Sequence, residues 1–421
     1  MHSQSSGPPK VDTAWLNGVR GIAALIVIFV HFIAGEVEVG FRGYFAEPAE
    51  ENRYFFQLPP FRIIFADQAM VALFFIVSAY SVSIKPLQLR DYAPRERFLD
   101  GLASSVFRRP FRLFAPVIVL ETISHIAFYF GLYPWVQLHE YHLQTAWEVA
   151  LHYLGFILAL LHPFTAALPI ALNIQVWTIP VEARGSFIVF LLILATSHMS
   201  TFGRLLTLAA TTWFTIWELD WWLFTFVSGL VICEIRGILD ARALDSLNSA
   251  RFRRASNSIY IRTANWCIFI LGFFLLCIPE QPTDNPWVGE YSILGAFDVA
   301  HFELFAKISH MWRSLGGVMC IFAMSSSSAL QAPFNSSFAQ YLGKISFGLY
   351  LTHLMVIRLA RDELIQLTWW AVGDDNAWGW VGAAAVLTPV IFAVAHVFYL
   401  LVDLNSVRLS RWIENKLTKA K

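Results

Sequence analysis

Ten runs of apolar residues, each about 16 to 25 residues long, dominate this chain. They fall near 15–35, 66–84, 112–133, 177–198, 204–219, 221–236, 263–279, 311–330, 344–364 and 378–402. Runs of that length are what a helix needs to cross the hydrocarbon core of a bilayer. Composition agrees. Of 421 residues, 57% are hydrophobic and only 14% charged, and mean hydropathy is +0.55. A soluble domain of this length needs far more polar surface, so the chain reads as an integral membrane protein. The expected fold is all-α: a polytopic membrane helical bundle of about ten spans that uses nearly the whole chain as one unit. A polar segment 1–14 precedes it and a basic tail 404–421 follows. Formal net charge is zero, which gives no basis for binding nucleic acid.

Basic residues set the expected orientation. One cluster comprises Lys85, Arg90, Arg95, Arg97, Arg108, Arg109 and Arg112. A second comprises Arg236, Arg242, Arg251, Arg253, Arg254 and Arg262, and the tail carries Arg408, Arg411, Lys416, Lys419 and Lys421. The opposite loops are acidic: Glu36, Glu38, Glu47, Glu50 and Glu51, then Glu280, Asp284 and Glu290, then Asp374 and Asp375. Ten spans with both termini cytosolic put every basic cluster in the cytosol. The segment 147–168 is also apolar enough to cross, but an eleventh crossing would move Arg236–Arg262 outside. It is therefore expected to be re-entrant or interfacial on the luminal side, where His152 and His162 suit partial hydration. Residues Glu218-Leu219-Asp220 alone separate two runs, which predicts a tight helical hairpin.

Smaller features narrow the picture further. The N-terminal "MHSQSSGPPKVDTAW" lacks the basic region, apolar core and cleavage site of a signal peptide. The first span is expected to stay as an uncleaved anchor, and an endomembrane is the expected location. Cys233, Cys267, Cys277 and Cys320 lie within apolar runs and form no CxxC. Neither disulfides nor zinc are expected. The sequon Asn335-Ser336-Ser337 falls on the cytosolic side of this topology and should be unmodified.

The first span, "LNGVRGIAALIVIFVHF" from Leu16 to Phe32, contains Arg20 and His31. At about 100° per residue these lie on nearly one helix face, roughly 16 Å apart along the axis. An ionisable side chain at the bilayer centre costs about 2.5–3.5 kcal/mol on insertion scales. Arg20 can snorkel to the boundary, but His31 lies deep. Such residues commonly face a hydrated cavity and act there, although a core histidine bonded to a neighbouring helix explains His31 equally well.

Five segments, in order, resemble the acyltransferase 3 family of membrane O-acyltransferases. The first is Leu16 to Ala24 leading to His31. The second is Phe74-Phe75-Ile76-Val77-Ser78-Ala79. Third comes Arg108-Arg109-Pro110-Phe111-Arg112-Leu113-Phe114-Ala115-Pro116, shifted by one in its final spacing, and fourth Trp177-Thr178-Ile179-Pro180-Val181-Glu182. The last runs from Leu342 to His353, "LGKISFGLYLTH". The likeness covers residues 15–403. Two positions depart from the family pattern: Asn17 stands where an aspartate is usual, so it supplies no acid, and Ala79 replaces a glycine, which narrows any close helix approach.

The resemblance implies transfer of an acyl group, commonly acetyl, from a coenzyme A thioester to a hydroxyl, with His31 as base. Histidine suits that step because its ordinary pKa lies near 6.5. Acyl-CoA (acetyl-CoA) is expected as a co-substrate rather than a resident cofactor. Its phosphates need cations at the cytosolic mouth, and Arg20, Arg109 and Arg112 are the candidates. If Pro110 sits in a first helical turn, Arg109 and Arg112 project from one face at i, i+3. Bidentate arginine suits phosphate, although plain positive-inside anchoring explains the same residues. Glu182 is a candidate to orient His31 or to bind the acceptor; an interfacial carboxylate is the alternative. Trp177 reads as a membrane-belt residue or a substrate platform. Tyr350 and His353 share a face, with a structural hydrogen bond as open as a catalytic role. Ser78 reads as a close-packing residue, and Asp403 as structural. No metal site is expected.

The chain resembles the stand-alone, fungal-type members of that family linked to specialised metabolites, which implies an acyltransferase acting on a small lipophilic alcohol; one acting on a cell-surface glycan is the alternative. The rival class is a proton-coupled transporter, which broken helices in both halves and an inverted repeat would favour; the sequence shows neither. No esterase-like domain is recognisable beside the spans.

Overall fold

A computed structural model describes residues 12–35, 37–133, 145–162, 171–245, 259–279, 302–374 and 376–418. The first eleven residues, Glu36, Glu280, Asp284, Glu290, Asp375, Arg251, Arg253, Arg254, Lys419, Lys421 and the end of segment 147–168 lie outside the described residues. Every regular element among the described residues is helical. In chain order these are α1 (Ala14–Ile33), α2 (Asp67–Tyr92), α3 (Arg95–Tyr129), α4 (Ala146–Leu161), α5 (Thr178–Thr196), α6 (Thr201–Trp217) and α7 (Trp221–Asp245). They continue with α8 (Ile259–Leu276), α9 (Phe302–Ser325), α10 (Ser328–Gln331), α11 (Ser337–Val372), α12 (Ala377–Phe398) and α13 (Leu404–Thr418).

The chain is a polytopic helical membrane protein. Eight helical stretches among the described residues are long and apolar enough to cross a bilayer, and a ninth is counted if α9 and α10, bent by 113°, form one broken span. All ten sequence runs are helical, yet one falls short of a full crossing. At 17 residues, α6 is about 26 Å long. It ends at the predicted hairpin. Leu219 takes φ 52°, and Asp220 N bonds Thr215 O at 3.0 Å, closing the last turn of α6 before α7 begins. Segment 147–168 supplies α4, 16 residues with Thr145 and Glu148 as a reciprocal N-terminal cap.

Helix ends differ from the apolar runs. α3 begins at Arg95, well before the run at 112–133, and carries Pro110 and Pro116 in its interior. Pro110 is therefore not in a first turn. Residues 95–109 contain four Arg and two Leu, which favour helix whether or not lipid surrounds them. Hydropathy finds only the lipid-length part. α11 also exceeds its run, at 36 residues, and the tail continues from α12 through a π-helical turn at Tyr399–Asp403 into α13.

The helices fall into two compact units. The first comprises residues 1–26, 34–103 and 185–343. Small residues set its helix contacts, as expected where lipid removes the hydrophobic drive for association. A side chain at Gly272 would meet Gly316 O at 2.7 Å, and one at Gly316 would meet Gly272 O at 2.6 Å, so α8 and α9 touch backbone to backbone. The α2–α7 approach uses Gly229, where a Cβ would lie 2.7 Å from the Ala79 Cβ. The glycine lost at position 79 is thus made up on the opposing helix. Buried Glu234 accepts from Arg90 at 2.9 Å and Arg204 at 2.8 Å.

The second unit comprises residues 27–33, 104–184 and 344–421. Within it Gly348 admits the Ala395 carbonyl of α12, and Phe32 packs edge-on against Trp380. Arg361 donates to Phe32 O at 3.3 Å, just past His31. Arg358 donates to Leu172 O at 2.8 Å. These contacts hold the end of α1 and the approach to α5 beside α11.

Candidate active site

Two histidines 322 positions apart in sequence meet in the second unit. His353 Nε2 and His31 Nδ1 lie 3.1 Å apart. His353, fully buried on α11, has its Nδ1 3.0 Å from Leu349 O. A carbonyl only accepts, so in the neutral ring His353 Nδ1 carries the hydrogen and Nε2 the lone pair. His31 Nδ1 must then be the donor to His353. A further neighbour of this nitrogen, Val27 O at 3.1 Å, is also an acceptor. Both contacts place the His31 hydrogen on Nδ1 and the basic lone pair on Nε2. His31 is half-buried. It can thus take a proton on a nitrogen whose orientation is set by its neighbours.

The remaining predicted residues of this unit separate into two groups. Arg109 is buried and donates to Glu182 Oε1 at 2.7 Å, joining α3 to α5. Arg112, one turn on, is exposed. The i, i+3 pair therefore has one guanidinium turned inward onto a carboxylate and one turned outward. Tyr350 donates to Gln175 O at 3.0 Å and lies 3.0 Å from Thr178 Oγ1. Gln175 Nε2 donates to Leu351 O at 2.7 Å. These bonds clasp the start of α5 to the turn of α11 that carries His353. Trp177, in the same clasp region, is 36% exposed.

Arg20, Asn17 and Ser78 belong to the first unit. Arg20 Nη2 donates to Ser81 Oγ at 3.3 Å on α2. Asn17 is exposed, and its carbonyl lies where a side chain on Gly343 would sit. Ser78 is buried within α2.

A second histidine pair was not foreseen from sequence. His125 on α3 has Nδ1 2.7 Å from Glu121 O and Nε2 3.1 Å from His152 Nδ1 on α4. Glu121 is fully buried and accepts from both Asn173 N at 3.1 Å and Asn173 Nδ2 at 2.9 Å. The signal was present: two ionisable residues, Glu121 and His125, one helical turn apart inside an apolar run, are as costly there as His31.

A polytopic helical membrane protein with a tautomer-fixed histidine, a buried arginine–carboxylate pair and an exposed arginine has the parts of an acyl-transfer enzyme. Residues 13–400 match the family model described as "Acyltransferase domain" (Acyl_transf_3), and the chain belongs to that family. It is 26% identical to O-acetyltransferase PaAT-1 of Phomopsis amygdali over 99% of this chain and 88% of that protein. It is 22% identical to acyltransferase clz18 of Cochliobolus lunatus, over 97% of this chain and 95% of the other. Acyltransferase R4 of a Phoma species is also 22% identical, over 96% of each. No solved structure gives a match.

Proposed function

We propose that this membrane acyltransferase moves an acyl group, commonly acetyl, from acyl-CoA to the hydroxyl of a small lipophilic acceptor. The His353–His31 pair carries this reading, because it leaves the His31 lone pair on Nε2. The acceptor hydroxyl gives its proton to that nitrogen as its oxygen attacks the thioester carbonyl. A C–O bond forms, the C–S bond breaks, and the proton passes on to the departing CoA thiolate. His353 does not touch the substrate in this scheme; it holds the His31 tautomer. Arg112 meets donor phosphate, since it is exposed and its fork suits a phosphate oxygen pair. Acyl-CoA comes from the cytosol, on the side of the basic clusters, and an endomembrane is the proposed location. The name of the Phomopsis relative, an O-acetyltransferase, supports both the acetyl group and the oxygen acceptor.

The test is purified protein in nanodiscs with acetyl-CoA and a panel of lipophilic alcohols. Free thiol and O-acetyl ester are expected in equal amounts. Failure to consume thioester with any alcohol of the panel would overturn the proposal.

Arg112→Ala is expected to raise the KM for acyl-CoA by the loss of a charged hydrogen bond, about 1.5–3 kcal/mol. Arg112→Lys recovers only part, because a point charge cannot make two parallel contacts. Unchanged acyl-CoA kinetics at normal expression would leave Arg112 as a membrane anchor.

A further inference from the structure

A cavity of about 240 Å³ opens between α3 and α4, away from His31 in sequence but within the same unit. Ile126, Val149 and Ala150 contribute to its apolar wall, and Thr122, His125 and Tyr153 its polar edge. The hydrogens of those three polar groups are all committed. Thr122 Oγ1 donates to Ile118 O at 2.7 Å. With that hydrogen spent, the 2.6 Å contact between Tyr153 Oη and Thr122 Oγ1 has tyrosine as its donor. His125 Nδ1 donates to Glu121 O at 2.7 Å, and its Nε2 accepts from His152 Nδ1 at 3.1 Å. What the polar edge offers a ligand is oxygen lone pairs, on Tyr153 and Thr122, and no hydrogen.

We infer that this cavity is a binding site for the free alcohol acceptor, selected by its O–H against the same molecule with that oxygen capped; the inference rests on the acyl-transfer reading above. An apolar body fills the wall and the hydroxyl donates to Tyr153 Oη. A lipid acyl chain gains nothing from that oxygen. An ester of the same alcohol has lost its donor and brings its own lone pairs against those of tyrosine. The site therefore holds the alcohol before transfer, while its hydroxyl is on Tyr153 and not yet on His31, and it does not retain the ester.

The test measures binding alone, by equilibrium dialysis of the protein in nanodiscs against empty nanodiscs, with no acyl donor present. The probes are 2-naphthol and 2-methoxynaphthalene, which share a ring system and differ in the O–H. Naphthol is expected to bind about 3- to 10-fold more tightly, the effect of one net hydrogen bond. In the double variant Thr122→Val with Tyr153→Phe, which removes both acceptor oxygens, the naphthol affinity should fall to that of the ether. Ala150→Trp, which fills the cavity from the exposed face of α4, should abolish protein-dependent binding of both. Equal affinities in the unaltered protein would make the cavity a lipid-chain groove and overturn the inference, as would naphthol binding that survives Ala150→Trp. A protein that binds naphthol as expected yet consumes no thioester would sink the acyl-transfer reading and leave the site standing; active protein with no naphthol preference would do the reverse.

Discussion

His31→Gln is expected to lower acyl transfer by about 10²–10⁴-fold, the usual worth of a positioned general base. Glutamine still reaches Val27 O and His353 Nε2 as a donor, but its amide takes no proton at neutral pH. The loss therefore isolates proton transfer from hydrogen bonding. His31→Ala should lose as much turnover. Both variants should fold, because His31 is half-buried rather than central to the packing, and both should still bind CoA. His353→Gln should cost much less, since its side-chain oxygen can accept from His31 Nδ1 and keep the tautomer. Turnover and radiolabelled CoA binding, measured on the same preparations, check this set. A folded His31→Gln variant with near-normal turnover would refute the base assignment and turn attention to His353, His152 or His162.

The sequence carried both halves of the histidine pair without their meeting. His31 was visible as an expensive residue in an apolar run, and His353 as the end of a motif. Nothing local to either indicates that they touch, because 322 positions separate them. Arg109 and Glu182 are a similar case: both were candidates, assigned to different tasks, and the structure brings them into one ion pair. Spans were legible because hydropathy and helix length are properties of contiguous residues. Helix ends were not, since helix-forming residues need not be apolar: the four arginines within 95–109 continue α3 well outside the run that hydropathy marks. The His125–His152 contact shows a different failure. Glu121 and His125 obey the rule that drew attention to His31, but their run, 112–133, stands out by its length and by the arginines at its start.

Arg109→Met should destabilise the protein by about 3–5 kcal/mol, the cost of breaking a buried ion pair from one side. Arg109 is 8% exposed and Glu182 20%, with 2.7 Å between donor and acceptor. Removing this guanidinium leaves the Glu182 carboxylate facing a methionine in a poorly solvated place. The double variant Arg109→Met with Glu182→Met should recover most of the loss, because replacing both charges by apolar side chains of similar size removes the desolvation cost along with the attraction. Thermal unfolding midpoints for the two single variants and the double variant form a cycle whose coupling term reads the pair itself. If Arg109→Met leaves stability unchanged but raises the KM for acyl-CoA, the guanidinium serves the donor and the ion pair is incidental. Activity of the double variant then settles Glu182. Turnover close to that of the unaltered protein makes the pair a brace between α3 and α5, and leaves exposed Arg112 to meet the donor. Lost turnover in a folded, stable double variant assigns the carboxylate or Arg109 to the reaction, and Glu182→Gln, which keeps the acceptor oxygen for Arg109 but not the charge, tells which of the two it is.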